Sequence, residues 1–304
     1  MSESKTKQTD NPEPPKSPVE LPVWQWAMIH DYVNTVDELL SLRVLSLGLS
    51  PRVHKLVKRR VEGMEANGIR VPQDYKNLKD AVKLVNTGFV NTRKYGANFV
   101  GNFSKIIVGA GVHKIDGDLR ISSAVDIVGD PGVSRDKIVI EGGIVIMEGI
   151  QGNCHLQHLT VRQAKECGVW GFSSFTMEDV LVDKCGHGVW ANGVVGRCAN
   201  VEVRDCIYSG VVAAFGASIT LVDKTTVYNN CTNLGRDDYG LKVFRSSSTI
   251  QLVSPLTKET VSKNNGGGGN WGAFLGADIN EIKNIEAPSG ETKHETTDNT
   301  LRFF

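Results

Sequence analysis

A repeat with a period of 21 residues in the middle of the chain constrains its fold more than any other feature. The three copies are residues 156–162, 177–183 and 198–204. Each copy is a short run in which apolar and polar residues alternate, a pattern typical of a β-strand. A fixed period of about 20 residues built from short strands indicates a solenoid in which each repeat forms one coil.

Equivalent positions of the repeat separate into inward and outward sets. The apolar columns, predicted to point inward, are Leu156, Met177 and Cys198, then Leu159, Val180 and Val201, then Val161, Val182 and Val203. Outward, Arg162, Asp183 and Arg204 form a ladder of alternating charge at a strand spacing of about 4.8 Å. We interpret this ladder as fixing the register of the coils. The polar column of His158, Asp179 and Asn200 either lines a groove or bonds across a turn, and we favour the turn.

A second part of each coil begins with glycine. The three copies read Gly168-Val169-Trp170, Gly188-Val189-Trp190 and Gly210-Val211-Val212. A glycine before a short apolar strand suits a tight bend, where φ can be positive. The next copy of this element starts only at Gly240, so residues 231–239 are predicted to loop out of a coil.

The residues before and within the repeats resemble a known superfamily. Residues 75–85 resemble the amphipathic helix that caps the first coil of pectin-lyase-like right-handed parallel β-helices, and residues 107–115 and 127–129 are similar to the opening coils of that superfamily. The resemblance covers roughly residues 70–255. It implies a mainly β fold: a right-handed parallel β-helix (solenoid) with an N-terminal α-helical module and a capping helix.

From these patterns we expect five segments along the chain. They are a disordered N-terminal tail (1–19), a helical segment (20–62), a linker with the capping helix (63–100), the β-helix (101–262), and a Gly-rich loop with a C-terminal tail (263–304). Residues 264–270 are expected to be too glycine-rich to hold one conformation.

The helical segment has apolar residues at helical intervals and resembles a degenerate F-box. The residues that carry this resemblance and become candidates for protein binding are Leu21, Pro22, Ile29, Tyr32, Val33, Leu39, Leu40 and Leu42. In that family this surface docks on a Skp1-like adaptor and recruits a ubiquitin ligase. The resemblance therefore implies a protein partner. The alternative is that these helices only cap the solenoid.

Four residues are candidates for ligand binding. Trp170 and Trp190 fall in one column on neighbouring coils, where stacked indoles either hold a sugar ring or fill a corner. Asp237 and Asp238 invite comparison with the polygalacturonase pattern, but here they follow the Gly186-His187-Gly188 element instead of preceding it. We therefore predict no catalytic residues. A binding or scaffold protein is favoured over a polyuronide lyase or hydrolase, and over a structural component of a coat.

Composition narrows the partners and the compartment. The net charge is zero, so we expect neither nucleic acid nor membrane as a partner. The cysteines lack zinc-type spacing, and no metal or cofactor is predicted; Cys185 and Cys206 share an apolar column and are expected to be buried thiols. The first 20 residues do not resemble a signal peptide. We expect an intracellular protein, cytoplasmic or nuclear, whose oligomeric state the sequence does not indicate.

Overall fold

The computed structural model describes residues 51–90, 99–233 and 235–287. In this part of the chain, short strands pair in parallel from coil to coil and form a β-helix, apart from one antiparallel pair between Phe89–Val90 and Phe99–Val100. The helices are α1 (Pro51–Asn67), α2 (Leu78–Thr87) and α3 (Lys258–Val261), with 3-10 turns at Arg135–Lys137 and Ile279–Glu281. The predicted solenoid fold is confirmed, and its winding is taken as right-handed, as parallel crossovers almost always are.

The strands run in chain order through the described residues. They are β1 (Ile69–Val71), β2 (Phe89–Val90), β3 (Phe99–Val100), β4 (Lys105–Val108), β5 (Gly111–Ile121), β6 (Asp126–Gly129), β7 (Ile138–Ile146), β8 (Cys154–Arg162), β9 (Cys167–Gly171), β10 (Phe175–Asp183), β11 (His187–Asn192), β12 (Val195–Ala199), β13 (Glu202–Arg204), β14 (Val211–Ala214), β15 (Ser218–Val222), β16 (Thr226–Tyr228), β17 (Tyr239–Phe244), β18 (Thr249–Val253), β19 (Ser262–Lys263), β20 (Gly269–Phe274) and β21 (Ile282–Ile285).

The 21-residue period corresponds to one coil. Leu156 of β8 lies opposite Met177 of β10, which lies opposite Cys198 of β12. The three predicted inward columns are buried. Equivalent apolar side chains therefore stack along the axis, and this stack is the core of the molecule.

The N-terminal end of the solenoid is covered by α2. Asn77 caps this helix by accepting a hydrogen bond from the backbone N–H of Asp80, and Gly88 ends it in the left-handed conformation. The helix buries one face, made of Leu78, Ala81, Val82, Leu84 and Val85. The capping helix predicted within residues 75–85 is thus present, beginning at Leu78 and ending at Thr87.

The parallel sheet is longer than the sequence indicated at both ends. It begins at β1, which pairs with β4, well before the predicted boundary at residue 101. At the other end β20 pairs with β17 and β21 pairs with β18. The coils therefore continue to Ile285 and not to residue 262.

The Gly-rich segment also differs from expectation. The backbone N–H of Gly266 donates to the carbonyl of Asn230 at 2.9 Å, and that of Gly268 donates to the carbonyl of Asp238 at 2.8 Å. A Cβ at Gly267 would lie 2.5 Å from the carbonyl oxygen of Gly235. The prediction of no single conformation is wrong, because the glycines let this segment pack closely against the neighbouring loop.

The glycines that open β-strands serve packing as well. Gly168, Gly188, Gly210 and Gly240 do not have positive φ angles, so the expected reason for glycine is incorrect. A Cβ at any of them would lie within 3 Å of atoms of the next coil. Close approach requires glycine at these positions.

The polar column at one corner does not line a groove, and its side chains bond from coil to coil and not across a single turn. His158, Asp179 and Asn200 all have positive φ angles, near 50°. His158 Nδ1 lies 2.5 Å from one oxygen of Asp179, and Asn200 Nδ2 donates to the other at 3.0 Å. Arg135 also binds Asp179 and reaches Glu202 of the next coil. Because these groups satisfy one another, we assign the column a structural role.

Candidate functional site

One side of the β-helix carries rings where a solvent-facing sheet usually carries polar side chains. It is formed by β9, β11, β14, β17 and β20, which stack in register. We call the outward side of these strands and their following corner the aromatic face. Its rings belong to Trp170, Phe172, Trp190, Phe215, Phe244 and Phe274, with His187 and Tyr208 at the edge.

The two predicted tryptophans lie in this face on adjacent coils. Trp170 is directly opposite Trp190, and their ring centroids are 6.5 Å apart with an interplanar angle of 58°. They therefore do not form a flat platform. Trp170 also contacts Phe172 at 4.9 Å, and Trp190 contacts Phe244 at 6.1 Å. The tryptophans are members of a continuous cluster that extends along the axis.

A buried lysine lies within the same face. Lys242 follows Trp190 and Val212 in the outward column and is only 6% exposed. Its Nζ is 5.1 Å from the ring centroid of Phe274 and 3.8 Å from Oδ1 of Asp238. Burial lowers the pKa of Lys242, and the negative charge of Asp238 opposes that shift. Its ammonium is thus surrounded by rings and one carboxylate.

The predicted aspartates occupy different environments. Asp238 is half-buried and accepts a hydrogen bond from Ser209 Oγ at 3.0 Å in addition to its contact with Lys242. Asp237 is exposed. Both belong to a loop that leaves the coil, as predicted, and the backbone N–H of Cys231 anchors this loop by donating to the carbonyl of Tyr208 at 2.9 Å. The structure therefore brings Asp238 to the aromatic face and leaves Asp237 at the rim of this face.

His187 packs under the rings in its neutral form. Its ring lies 4.9 Å from Trp190, edge to face, and 5.0 Å from Tyr208. Burial lowers the pKa of His187 to about 4. Its Nδ1, like Nε1 of Trp170, is buried without a hydrogen-bond partner among the described residues. A buried polar group left unpaired costs roughly 1–3 kcal/mol, so both nitrogens suit a water molecule or a polar atom of a ligand.

The lowered pKa of His187 predicts a loss of stability in mild acid. Above the ordinary histidine pKa of 6.5 both the folded and unfolded chains carry a neutral ring. As the pH falls from 6.5 towards 4, the unfolded chain takes up the proton first, so the folded state loses stability in that window. We expect a loss of about 1–2 kcal/mol between pH 7 and pH 5 from this residue.

Urea unfolding of the wild type and of His187→Gln at the two pH values measures this loss. Burial opposes the charged form of His158, but its hydrogen bonds to Asp179 and to the carbonyl of Val133 outweigh this and raise its pKa. Its contribution to stability is therefore present below pH 6.5 and lost as the pH rises. Because both proteins contain His158, the difference between them isolates His187. Equal pH dependence in the two proteins would contradict the prediction.

Several residues of the face were not identified from the sequence. They are Phe172, Tyr208, Phe215, Lys242, Phe244, Arg245 and Phe274. A signal was present, because Leu241-Lys242-Val243-Phe244 and Trp271-Gly272-Ala273-Phe274 align with Val189-Trp190-Ala191-Asn192 once the longer coil is allowed for. Placing these segments in the Trp170 column would have revealed the cluster.

The F-box-like candidates lie outside the described residues. They are Leu21, Pro22, Ile29, Tyr32, Val33, Leu39, Leu40 and Leu42.

Across residues 51–90, 99–233 and 235–287, no three His, Cys, Asp or Glu side chains are grouped to hold a metal. No helix in the same ranges is long and apolar enough to cross a membrane. Cys185 and Cys206 are buried and free, as expected.

Comparison of the chain with protein-family models, curated proteins and solved structures returned no match. The pectin-lyase-like and F-box resemblances therefore depend only on the residues quoted for them. The strand pairing itself shows a parallel β-helix.

Proposed function

We propose that this protein is a non-enzymatic binding or scaffold protein whose aromatic face recognises another protein. The observation that carries the proposal is the continuous ring cluster on an outward sheet face. Tyr208 and Phe215 at its margins are 39% and 49% exposed. Aromatic and arginine side chains are enriched among the residues that dominate binding energy at protein interfaces, which supports a protein as the partner.

The environment of the two aspartates favours binding over catalysis. Glycoside hydrolases use two carboxylates about 5–10 Å apart on either side of the scissile bond. Here Asp238 is engaged by Ser209 and Lys242, and Asp237 is its exposed sequence neighbour. We assign no catalytic residue.

The recognition surface is tested by affinity capture with matched variants. Trp190→Ala and Phe244→Ala remove rings from the face, and Val195→Ala changes a 60% exposed residue of β12, outside the face. We expect the wild type and Val195→Ala to capture the same partners in the same amounts. The two ring variants should capture at least roughly tenfold less of these partners, as for hot-spot residues. Identical capture by all four proteins would count against the proposed surface.

We further propose that residues 20–62 recruit a Skp1-like adaptor, so that a target held on the aromatic face reaches a ubiquitin ligase. The support is the F-box resemblance. A purified Skp1-type adaptor should bind the full chain and lose affinity for a Leu39→Ala, Leu40→Ala double variant, while Trp190→Ala binds normally. No binding where a standard F-box binds would leave only the alternative, that this segment caps the solenoid.

A carbohydrate ligand is the second candidate. It is favoured by two indole rings on adjacent coils and by the unpaired Nε1 of Trp170, which suits a hydroxyl acceptor. Titration with a polyuronide panel, with and without calcium, tests it, together with an assay for new reducing or unsaturated ends. Binding that Trp170→Ala abolishes would support this function. Self-association on a sizing column, without either ligand, would favour a structural assembly.

We propose the cytoplasm or nucleus as the compartment. All six cysteines are buried and free. Buried thiols without disulfides fit a reducing environment.

A further inference from the structure

The aromatic face ends at a corner whose backbone is left-handed. Phe215, Arg245 and Leu275 directly follow β14, β17 and β20, and their φ angles are 55°, 66° and 51°. The backbone N–H of Phe215 donates to the carbonyl of Phe244, and that of Arg245 donates to the carbonyl of Phe274. The three residues therefore stack on successive coils. The equivalent residue one coil earlier is Gly193, with φ 67°.

The residue types at this corner are unusual for that conformation. Elsewhere in the described chain, positive φ angles fall mostly on polar residues such as Asp179, Asn200 and Asn264, which tolerate this region best. Phe215 and Leu275 are large and apolar, yet 49% and 56% exposed. Backbone strain and exposure both oppose folding, so these side chains serve the surface and not the core. Strain of this kind clusters at functional sites.

Arg245 lies between Phe215 and Leu275 in the order of the coils, and its guanidinium packs on aromatic rings. Its Cζ is 4.9 Å from the ring centroid of Phe215 and 5.9 Å from that of Phe244. Within the described residues, its guanidinium has no carboxylate within salt-bridge distance and no side-chain hydrogen bond. A guanidinium fixed on aromatic rings presents a preformed fork for a carboxylate.

We infer that the corner formed by Phe215, Arg245 and Leu275 binds a protein segment in which an acidic side chain is flanked by two apolar ones. This inference rests on the proposed protein-binding function of the aromatic face. At a coil spacing of about 4.8 Å, Phe215 and Leu275 are roughly 10 Å apart with Arg245 between them. An extended segment presents residues i, i+2 and i+4 on one side, with i and i+4 about 13 Å apart. The order apolar, acidic, apolar follows the order of the corner, and the side chains span the remaining few ångströms.

Two other occupants fit less well. A second copy of the chain related by twofold symmetry brings the same patch onto itself, which places one Arg245 near the other. A sugar stacks on a flat ring, whereas the rings of Phe215 and Phe244 are inclined by 53°, and Leu275 has no ring. The segment with a carboxylate satisfies both the apolar and the charged part of the corner.

Selection of a phage-displayed library of random peptides on the immobilised full chain tests the inference. We expect selected peptides to share an acidic residue with apolar residues two positions before and after it. Synthetic forms of those peptides should bind Arg245→Gly and Phe215→Gly at least roughly tenfold more weakly, as for a lost hot spot. Because glycine accepts the left-handed backbone, both variants should fold, with Tm shifts of only a few degrees. Arg120→Ala, at an exposed arginine of β5, should bind like the wild type.

The result that overturns the inference is a library that yields no such pattern, or selected peptides that bind Arg245→Gly normally. The proposed function fails separately. If peptides lack the acidic residue but depend on Trp190, the aromatic face remains a protein-binding surface and only the corner is wrong. If no peptide binds and polyuronides do, the protein-binding function is wrong as well.

Discussion

Replacing Gly188 with alanine is expected to destabilise the folded protein by about 3 kcal/mol. A Cβ at this position would lie 2.3 Å from Cγ1 of Val203 and 2.4 Å from the carbonyl oxygen of Gly210. Val203 is fully buried, and the Gly210 carbonyl accepts the backbone N–H of Val189 at 2.8 Å. Neither neighbour can move without disturbing the pairing of two coils, so the extra methyl group must strain the backbone.

Urea unfolding of the variant measures this loss, and Gly63→Ala is the matched control. Gly63 lies inside α1, and a Cβ there would meet no atom within 4 Å. Alanine is a better helix former than glycine, so Gly63→Ala should stabilise the protein by about 0.5–1 kcal/mol. A Gly188→Ala protein that unfolds at the wild-type urea concentration would mean that adjacent coils are packed less closely than the structure indicates.

The glycines also show what the sequence can and cannot reveal about a solenoid. The inward columns around Leu159 and Val161 were predictable because strand alternation and a constant coil length leave a regular pattern. The reason for glycine at residue 188 was not predictable. A bend with positive φ and a close approach between coils both select glycine, and only the position of the neighbouring coil distinguishes them.

The ends of the solenoid and half of the candidate site were missed for a related reason. The coil that contains residues 231–238 is longer than the others, so segments beyond it fall out of the 21-residue period. The copy that starts at Gly240 still aligns Lys242 with Trp190, but residue type alone did not mark Lys242 or Arg245 as members of a site. In the last coil, β19 has only two residues. The strand lengths there are too irregular for the 21-residue period to be recognised in the sequence. Trp170, Trp190 and Asp238 were predictable because residue type alone marked them.

An asparagine column was also missed, although its signal was visible. The corner that carries Cys185 and Cys206 continues with Asn230 and Asn265 on the next two coils. Asn230 accepts the backbone N–H of Cys206 at 3.1 Å and donates to the carbonyl of Val203 at 3.1 Å. Asn265 does the same one coil later, accepting from the backbone of Asn230 at 2.9 Å. Both follow another asparagine, at positions 229 and 264, and this recurrence of an Asn-Asn pair was the signal.

Asn230→Ala should therefore be the second strongly destabilising substitution, with an expected loss of about 2–4 kcal/mol. Asn230 is 1% exposed, and its truncation leaves the Cys206 N–H and the Val203 carbonyl without partners in a place that water does not reach. Asn230→Cys reproduces the side chain that the preceding coil carries at this corner. It fills more of the space than alanine but restores neither bond, so it should lose somewhat less stability.

Urea unfolding of these variants, with Asn284→Ala at an exposed position of β21 as control, measures the loss. The control should change stability by less than about 0.5 kcal/mol. A double-mutant cycle with Asn265→Ala tests whether the column acts as a unit, because Asn265 bonds directly to Asn230 and the two losses should not add. Additive losses, or an Asn230→Ala protein as stable as the control, would show that the backbone groups find other partners and that the column does not hold these coils together.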